Sequence, residues 1–496
     1  MQLQWERKQI PALDVKVWEA QNQEQTLEVR LGEDMPDIGH IICGWGQPLL
    51  RGKEWRGDSM SVSGGVMAWI LYAPEDGSAP RCVEGWLPFQ LKWNIPQSQR
   101  DGTIRCDVRA RAVDGRVLSA RKMMIRAQIS AMGEALEPET VDCYTPGQTL
   151  PDIQLLQQTF PVRLRAEAGE KMIQVDEDLA FSGVKPRKII SCCVMPGLTE
   201  QKVVGGKAVF RGECGVHLVY FGEDEAIHTE QLSVPFAQYA DLDRDYDKEA
   251  TLHTIMALSN LEPELLEEGL RLKCSLIAQY LILENCMIEA AQDAYSIENR
   301  IAVELSEPEV PAVLDMRSEL RTITQNGPAE DMDIVDVCCF MEQPVTHRNG
   351  DQVEIQLPGM AQVLCKSADG RYDGINIRFA DQWSITAGED SAIMVRAIPA
   401  DAPTAVPGGD GIDVKCPMDV EVMAATRQSI PMISTIEVGE KLPRDEERPS
   451  MILRRAGDDS LWDIAKSYGS TVDAIRAANG IEDSASHNQM LLIPVN

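Results

Sequence analysis

The stretch Gly457-Asp458-Asp459-Ser460-Leu461-Trp462-Asp463-Ile464-Ala465 decides how the end of this 496-residue chain is read. Ser460 stands just before an apolar run, with Asp463 three positions later, the pattern of a capped helix start. Leu461, Ile464, Ala465 and Tyr468 then recur at helical spacing, and Gly469 is placed to end the helix. A second start follows at Thr471, with Val472, Ile475 and Ala478 on one face and Asn479-Gly480 as its stop. Outside the two helices, Met451-Ile452-Leu453 and Met490-Leu491-Leu492-Ile493-Pro494 are short and apolar enough to be paired strands. The order is strand, helix, helix, strand, over residues 451–496.

That order, and the residues Gly457-Asp458, Leu461 to Ala465, Tyr468-Gly469, Thr471-Val472, Asn479-Gly480, Gln489, Leu491, Ile493 and Pro494, resemble the LysM family of carbohydrate-binding modules. Two departures stand out. Asp458-Asp459 reads as a one-residue insertion, and His487-Asn488 stands where the family has Pro-Gly. The resemblance implies a shallow ligand groove between two loops. Its residues here would be Gly457, Asp458, Asp459, Ser460 and Leu461 from the first loop, and Gly480, Ile481, Glu482 and Asp483 from the second. Backbone N–H and C=O groups in such loops can meet N-acetyl groups, and Ile481 offers an apolar contact. The four carboxylates make the rim acidic, which also suits a basic protein surface. Ser460 reads as the helix cap ahead of a ligand, and Trp462 as a packing residue, because so small a domain needs its large side chains inside.

Working outward, a chain of this length suggests several domains rather than one core. Hydrophobic content of 44% with 25% charged residues is that of a globular protein, and the low aromatic share of 5% calls for aliphatic cores. The net charge is −31, nearly all of it ahead of residue 450. Such a surface repels nucleic acid and anionic lipid. The thirteen cysteines include no Cys-x-x-Cys, and the six histidines are scattered, so the sequence offers no metal or redox motif. Buried reduced thiols in a cytoplasmic protein are the expectation. The stretch Met1-Gln2-Leu3-Gln4-Trp5-Glu6-Arg7 has no apolar signal core, and no run reaches the ~18 apolar residues of a membrane span.

A long internal repeat organises the first 440 residues. Pro48, Pro196 and Pro344 each follow a similar apolar run; Gly64, Gly212 and Gly359 come next, then Phe89, Phe236 and Phe379, then Lys122-Met123, Lys273-Cys274 and Lys415-Cys416. Period-two alternation at Leu13-Val15-Val17, Val162-Leu164-Ala166 and Ile301-Val303-Leu305 predicts strands with one buried face. Val66 to Tyr72 and Cys214 to Tyr220 are apolar throughout and predict central strands. Residues 257–270 allow a short helical turn. The fold class expected is multidomain and mostly β: three β-sandwich-like repeats (1–147, 148–296 and a degenerate 297–440), a linker at 441–450, and a small α+β module at 451–496. The prolines and charges of Lys441 to Pro449 predict an exposed, semi-rigid tether on which the terminal module moves.

Glu33-Asp34-Met35-Pro36-Asp37-Ile38, Gly64 through Tyr72 and Leu87-Pro88-Phe89 resemble the SPOCS domain of endospore-forming bacteria, and Val175 to Leu179, Tyr220 and Val234-Pro235-Phe236 repeat the pattern. SPOCS repeats followed by a LysM are similar in architecture to a clostridial family of coat-assembly proteins. The resemblance implies a structural adaptor in the mother-cell cytoplasm, at the forespore surface. Its repeats would form a platform or self-associate, and its LysM would bind the coat's basement-layer ATPase. A plain peptidoglycan-binding protein, holding N-acetylglucosamine chains, is the other reading. No nucleophile elbow, phosphate loop or zincin motif is present, so the expectation is a non-enzyme without cofactor or metal.

Overall fold

A computed structural model describes residues 2–145, 150–267, 269–328, 332–408, 411–443, 449–481 and 489–495. It is mostly β. The first unit holds β1 (Gln2–Gln4), β2 (Glu6–Arg30), β3 (Ile38–Arg56), β4 (Ser59–Pro74), β5 (Arg81–Asn94), β6 (Thr103–Ser119) and β7 (Lys122–Thr145). The second holds β8 (Ile153–Ala180), β9 (Pro186–Val204), β10 (Lys207–Gly222), β11 (Ile227–Asp241), β12 (Thr251–Leu266) and β13 (Gly269–Ser296). The third begins with β14 (Asn299–Ser306), β15 (Glu309–Pro328), β16 (Met332–Met341), β17 (Val345–Asn349) and β18 (Gln352–Ser367). It continues with β19 (Tyr372–Thr386), β20 (Ala392–Pro399), β21 (Thr404–Pro407), β22 (Gly411–Ser429) and β23 (Met432–Lys441).

Each unit pairs its strands alike, into two antiparallel layers, and one layer of the second unit joins one of the third where Leu164 of β8 pairs with Ala312 of β15. The orders β2-β7-β6 and β3-β4-β5 in the first become β8-β13-β12 and β9-β10-β11 in the second. In the third, β15-β22-β20 lies opposite β18, which carries β16, β17 and β19. Of the residues that recur in the sequence, the glycines and phenylalanines hold equivalent registers, whereas Pro344 falls between β16 and β17 and Lys122 is out of step with Lys273 and Lys415. Gly64 faces Leu50 and Phe89, Gly212 faces Leu198 and Phe236, and Gly359 faces Met341 and Phe379. The glycine is required by space: a Cβ at Gly64 would sit 2.0 Å from the Leu49 carbonyl oxygen, and one at Gly212 would sit 2.0 Å from that of Gly197. The first long strand of each unit bulges at the same point, between Val15 and Val17, Arg165 and Glu167, and Val313 and Asp315. Tyr72 and Tyr220 each donate to a carbonyl at 3.0 Å, of Pro36 and Val184 respectively.

The units do not hang as beads. Ile10 and Val141 from the first, Val162 and Ile288 from the second, and Val310 and Ile430 from the third pack into one cluster. Leu13, Leu283 and Val313 join a second shared cluster. β1 pairs with β23, which also pairs with β14, so the start of the chain is stitched into the third unit. The shared interior also carries charge. Arg105 donates to Glu134 at 2.9 Å, with both side chains almost fully buried; Arg396 reaches both Glu134 and Glu421; and Glu421 faces His253.

At a second junction, Trp45 Nε1 donates to Asp336 at 2.9 Å and His217 Nε2 meets its other oxygen at 2.7 Å, one residue from each unit. Burial opposes the charged form of His217, but the hydrogen bond and charge of Asp336 outweigh it, and the imidazole is held above its ordinary value. A raised folded value stabilises most below about pH 6.5, the unfolded value, and the contribution is lost as pH rises through the folded one. The stability difference between wild type and His217→Gln, followed by denaturant unfolding, is therefore expected to shrink from pH 6 to pH 9. A difference that grows with pH would contradict the pairing.

One expectation is corrected. Residues 257–267 and 269–270 form no helical turn; they lie in the β12–β13 hairpin, where Leu258 pairs with Leu276 and Pro263 with Leu272. Cross-strand pairing with buried Leu258 and Leu261 overrides the local pattern. Cys339 of β16 and Cys416 of β22 stand sulfur to sulfur across the third unit.

Candidate functional site

The terminal module is built from β24 (Met451–Arg455), α1 (Leu461–Tyr468), α2 (Val472–Asn479) and β25 (Met490–Pro494). Its helices start and stop at the residues that chemistry favours. The Ser460 hydroxyl accepts from the Asp463 N–H at 3.1 Å and donates to its carboxylate at 2.6 Å. The Thr471 hydroxyl caps α2 through the Ala474 N–H. Gly469 and Gly480 end the two helices at φ near +60°, where a Cβ would be strained. Asn479 ties α2 to the sheet, with its amide donating to Leu492 O and accepting from Leu492 N. Leu461, Ile464, Ala465, Ile475, Leu491 and Ile493 fill the small core.

The candidate groove residues divide by role. Gly457, Asp458 and Asp459 form an exposed loop, and Asp459 is paired with Arg454. Ser460 is occupied as the cap, and Leu461 is core. Gly480 is exposed, and Ile481 is half-buried against the core that Leu461 also enters, so both loops start from one packed centre. Glu482, Asp483, His487 and Asn488 lie outside the described residues.

Two features of this module are absent from the loop reading. The first is docking. Trp462 packs edge-on against Tyr295 of β13 at 4.8 Å between ring centres, and its Nε1 donates to Asp293 at 2.8 Å. Lys466 also holds Asp293, at 2.7 Å, and Tyr295 donates to the Ser470 carbonyl at 2.8 Å. Burial raises the Asp293 carboxyl, but Lys466 and Trp462 outweigh it and hold it below the ordinary range. The module is therefore seated on the second unit, in contrast to the mobile head expected from the prolines of the connection. Of that connection, Lys441 ends β23, and residues 444–448 lie outside the described residues. Trp462 is an intermodule contact more than a core residue. Trp462→Ala is expected to cost about 3 kcal/mol of docking from the lost ring pair and charged hydrogen bond. Small-angle scattering should then show an expanded particle, whereas an unchanged radius of gyration would contradict the docking.

The second is a sheet face. The outer side of the β24–β25 ladder presents Met451, Leu453, Met490 and Leu492, all exposed, with Leu453 61% accessible and standing opposite Leu492. Strands of a two-stranded sheet that are apolar on both faces signal a surface that something else covers. That signal was readable in Met451-Ile452-Leu453; the docking face was not, because Asp293 and Tyr295 lie far away in the chain.

Among the described residues, no group of three or more His, Cys, Asp or Glu side chains is arranged to hold a metal. No helix among them is long and apolar enough to cross a membrane. Residues 455–494 match the LysM domain family, and the chain contains such a domain. No curated protein and no solved structure matches the chain.

Proposed function

We propose that this chain is a non-enzymatic structural adaptor of spore-envelope assembly. Its three β units form a fixed platform, and its LysM domain docks onto a coat protein, with the basement-layer ATPase as the partner. The observation that carries the reading is the seating of the LysM. Asp293 and Tyr295 clamp one side of α1 through Trp462 and Lys466, while the 457–459 loop and the apolar outer face of β24–β25 remain exposed. A module held in one orientation with two open surfaces suits a connector, one surface for glycan and one for protein. The likeness of Glu33 to Phe89 and of Val175 to Phe236 to SPOCS domains supports the spore setting, in the mother-cell cytoplasm at the forespore surface. The buried thiols support a non-catalytic reading. Burial pushes Cys82, Cys106 and Cys192 up to about 12, far from a reactive thiolate.

The LysM match itself favours a second reading, a peptidoglycan- or N-acetylglucosamine-binding protein acting through the same loops. Titrating the full chain with chitohexaose tests the glycan arm. Binding that Ile481→Asp weakens by about tenfold, a loss of about 1.4 kcal/mol, would support the groove. Binding that ignores this change would remove the groove from the account.

A further inference from the structure

A cleft of about 700 Å³ opens where the three units converge, walled by Trp45 of the first unit, Met195, Leu232 and Met256 of the second, and Phe340 and Met341 of the third. Protein interiors are close-packed and hold few voids larger than a water molecule. A cleft of this size with mainly apolar walls and few polar groups has the form of a small-molecule site.

Its polar side narrows the ligand. His217 lines the cleft with Nε2 committed to Asp336, which Trp45 Nε1 also holds, so Nδ1 is the ring nitrogen left for a guest. Arg109, the cation in the wall, has its charge paired with Asp107 and spends four of its N–H donors on Asp107 and on the Glu342 and Ala397 carbonyls. The remaining charged groups of the lining, Glu213 and Asp401, are acidic, and Glu213 accepts from Ser233 at 2.6 Å. With a net charge of −31 on the chain, an anionic guest is disfavoured. A hydroxyl can both donate and accept, and so satisfies the imidazole in either protonation state.

We propose that this junction binds a neutral, largely apolar small molecule bearing one hydroxyl, which is anchored on His217 and walled by Trp45, Met195, Leu232, Phe340 and Met341. The ligand is held by all three units at once, so its binding stabilises their assembly. This inference is independent of the LysM.

The test uses the full chain and the uncharged dye N-phenyl-1-naphthylamine, displaced by 1-decanol, decyl methyl ether or decanoate. The expected result is saturable binding of one dye per chain, with 1-decanol about tenfold more effective than either competitor. Met195→Trp and Leu232→Trp fill the cleft from two sides, and thermal melts identify which variant keeps the fold. In a folded variant, dye binding is expected to fall by about tenfold. His217→Leu is expected to keep the dye and erase the advantage of 1-decanol over its methyl ether. Absence of saturable dye binding, decanoate as effective as decanol, or dye binding unchanged in a folded filling variant would each overturn the proposal.

Discussion

Glu134→Ala is expected to lower the stability of the whole body by about 3–5 kcal/mol, the cost of leaving buried cations without their counter-ion. Glu134 is 1% exposed and faces two guanidiniums, Arg105 of its own unit at 2.9 Å and Arg396 of the third unit at 3.5 Å. Burial already pulls Arg105 down to about 10 despite the charge of Glu134. Without the carboxylate, Arg105, Arg165 and Arg396 share a closed interior with Glu421, and with Asp14 near Arg165, as counter-charge. Chemical denaturation of wild type and variant measures the difference. A loss below about 1 kcal/mol, the range of a surface pair, would mean that water reaches the network.

Gly64→Ala is expected to cost about 3 kcal/mol, at the upper end of overpacking effects, because the added methyl meets backbone. The Leu49 carbonyl oxygen is 2.0 Å from the new Cβ and the Phe89 ring is 2.8 Å away, so β3 or β5 must move away from β4. Gly212→Ala meets the same two obstacles, the Gly197 carbonyl at 2.0 Å and the Phe236 ring at 2.8 Å, and should cost a similar amount. Gly359→Ala meets side-chain atoms only, Phe379 at 2.6 Å and Met341 at 2.9 Å, and should be milder. Thermal melts of the three variants check the order. Equal, small effects at all three would contradict the close approach.

These two experiments mark what the sequence does and does not reveal. The mostly β class and the terminal strand-helix-helix-strand order are legible because period-two alternation and the caps at Ser460 and Thr471 are local signals. The Gly64–Phe89 spacing is legible for a structural reason: a glycine and the ring packed over it are cross-strand neighbours. What is lost is what long-range contact decides. Arg105, Glu134, Arg396 and Glu421 look like four charges among many until β6, β7, β20 and β22 bring them together. The third unit breaks two of its strands, β16 from β17 and β20 from β21, which blurs its pattern. Proline content suggested a free tether, yet two side chains of α1, Trp462 and Lys466, and the Ser470 carbonyl beyond its end settle on β13. Among the residues of the proposed groove, Ser460 and Leu461 carry the fold of the loop, whereas Gly457, Asp458 and Gly480 are exposed and Ile481 is half-buried.

The adaptor reading is tested most directly by measuring binding of the full chain, in parallel, to purified peptidoglycan and to the coat basement-layer ATPase, with a Leu453→Asp/Leu492→Asp variant alongside. Both leucines are exposed on the outer sheet face, so the variant should fold. The account predicts that the ATPase binds wild type and that the variant loses at least about tenfold in affinity, while any peptidoglycan binding is unchanged. Peptidoglycan binding without ATPase binding would contradict it and leave a glycan-binding protein in its place.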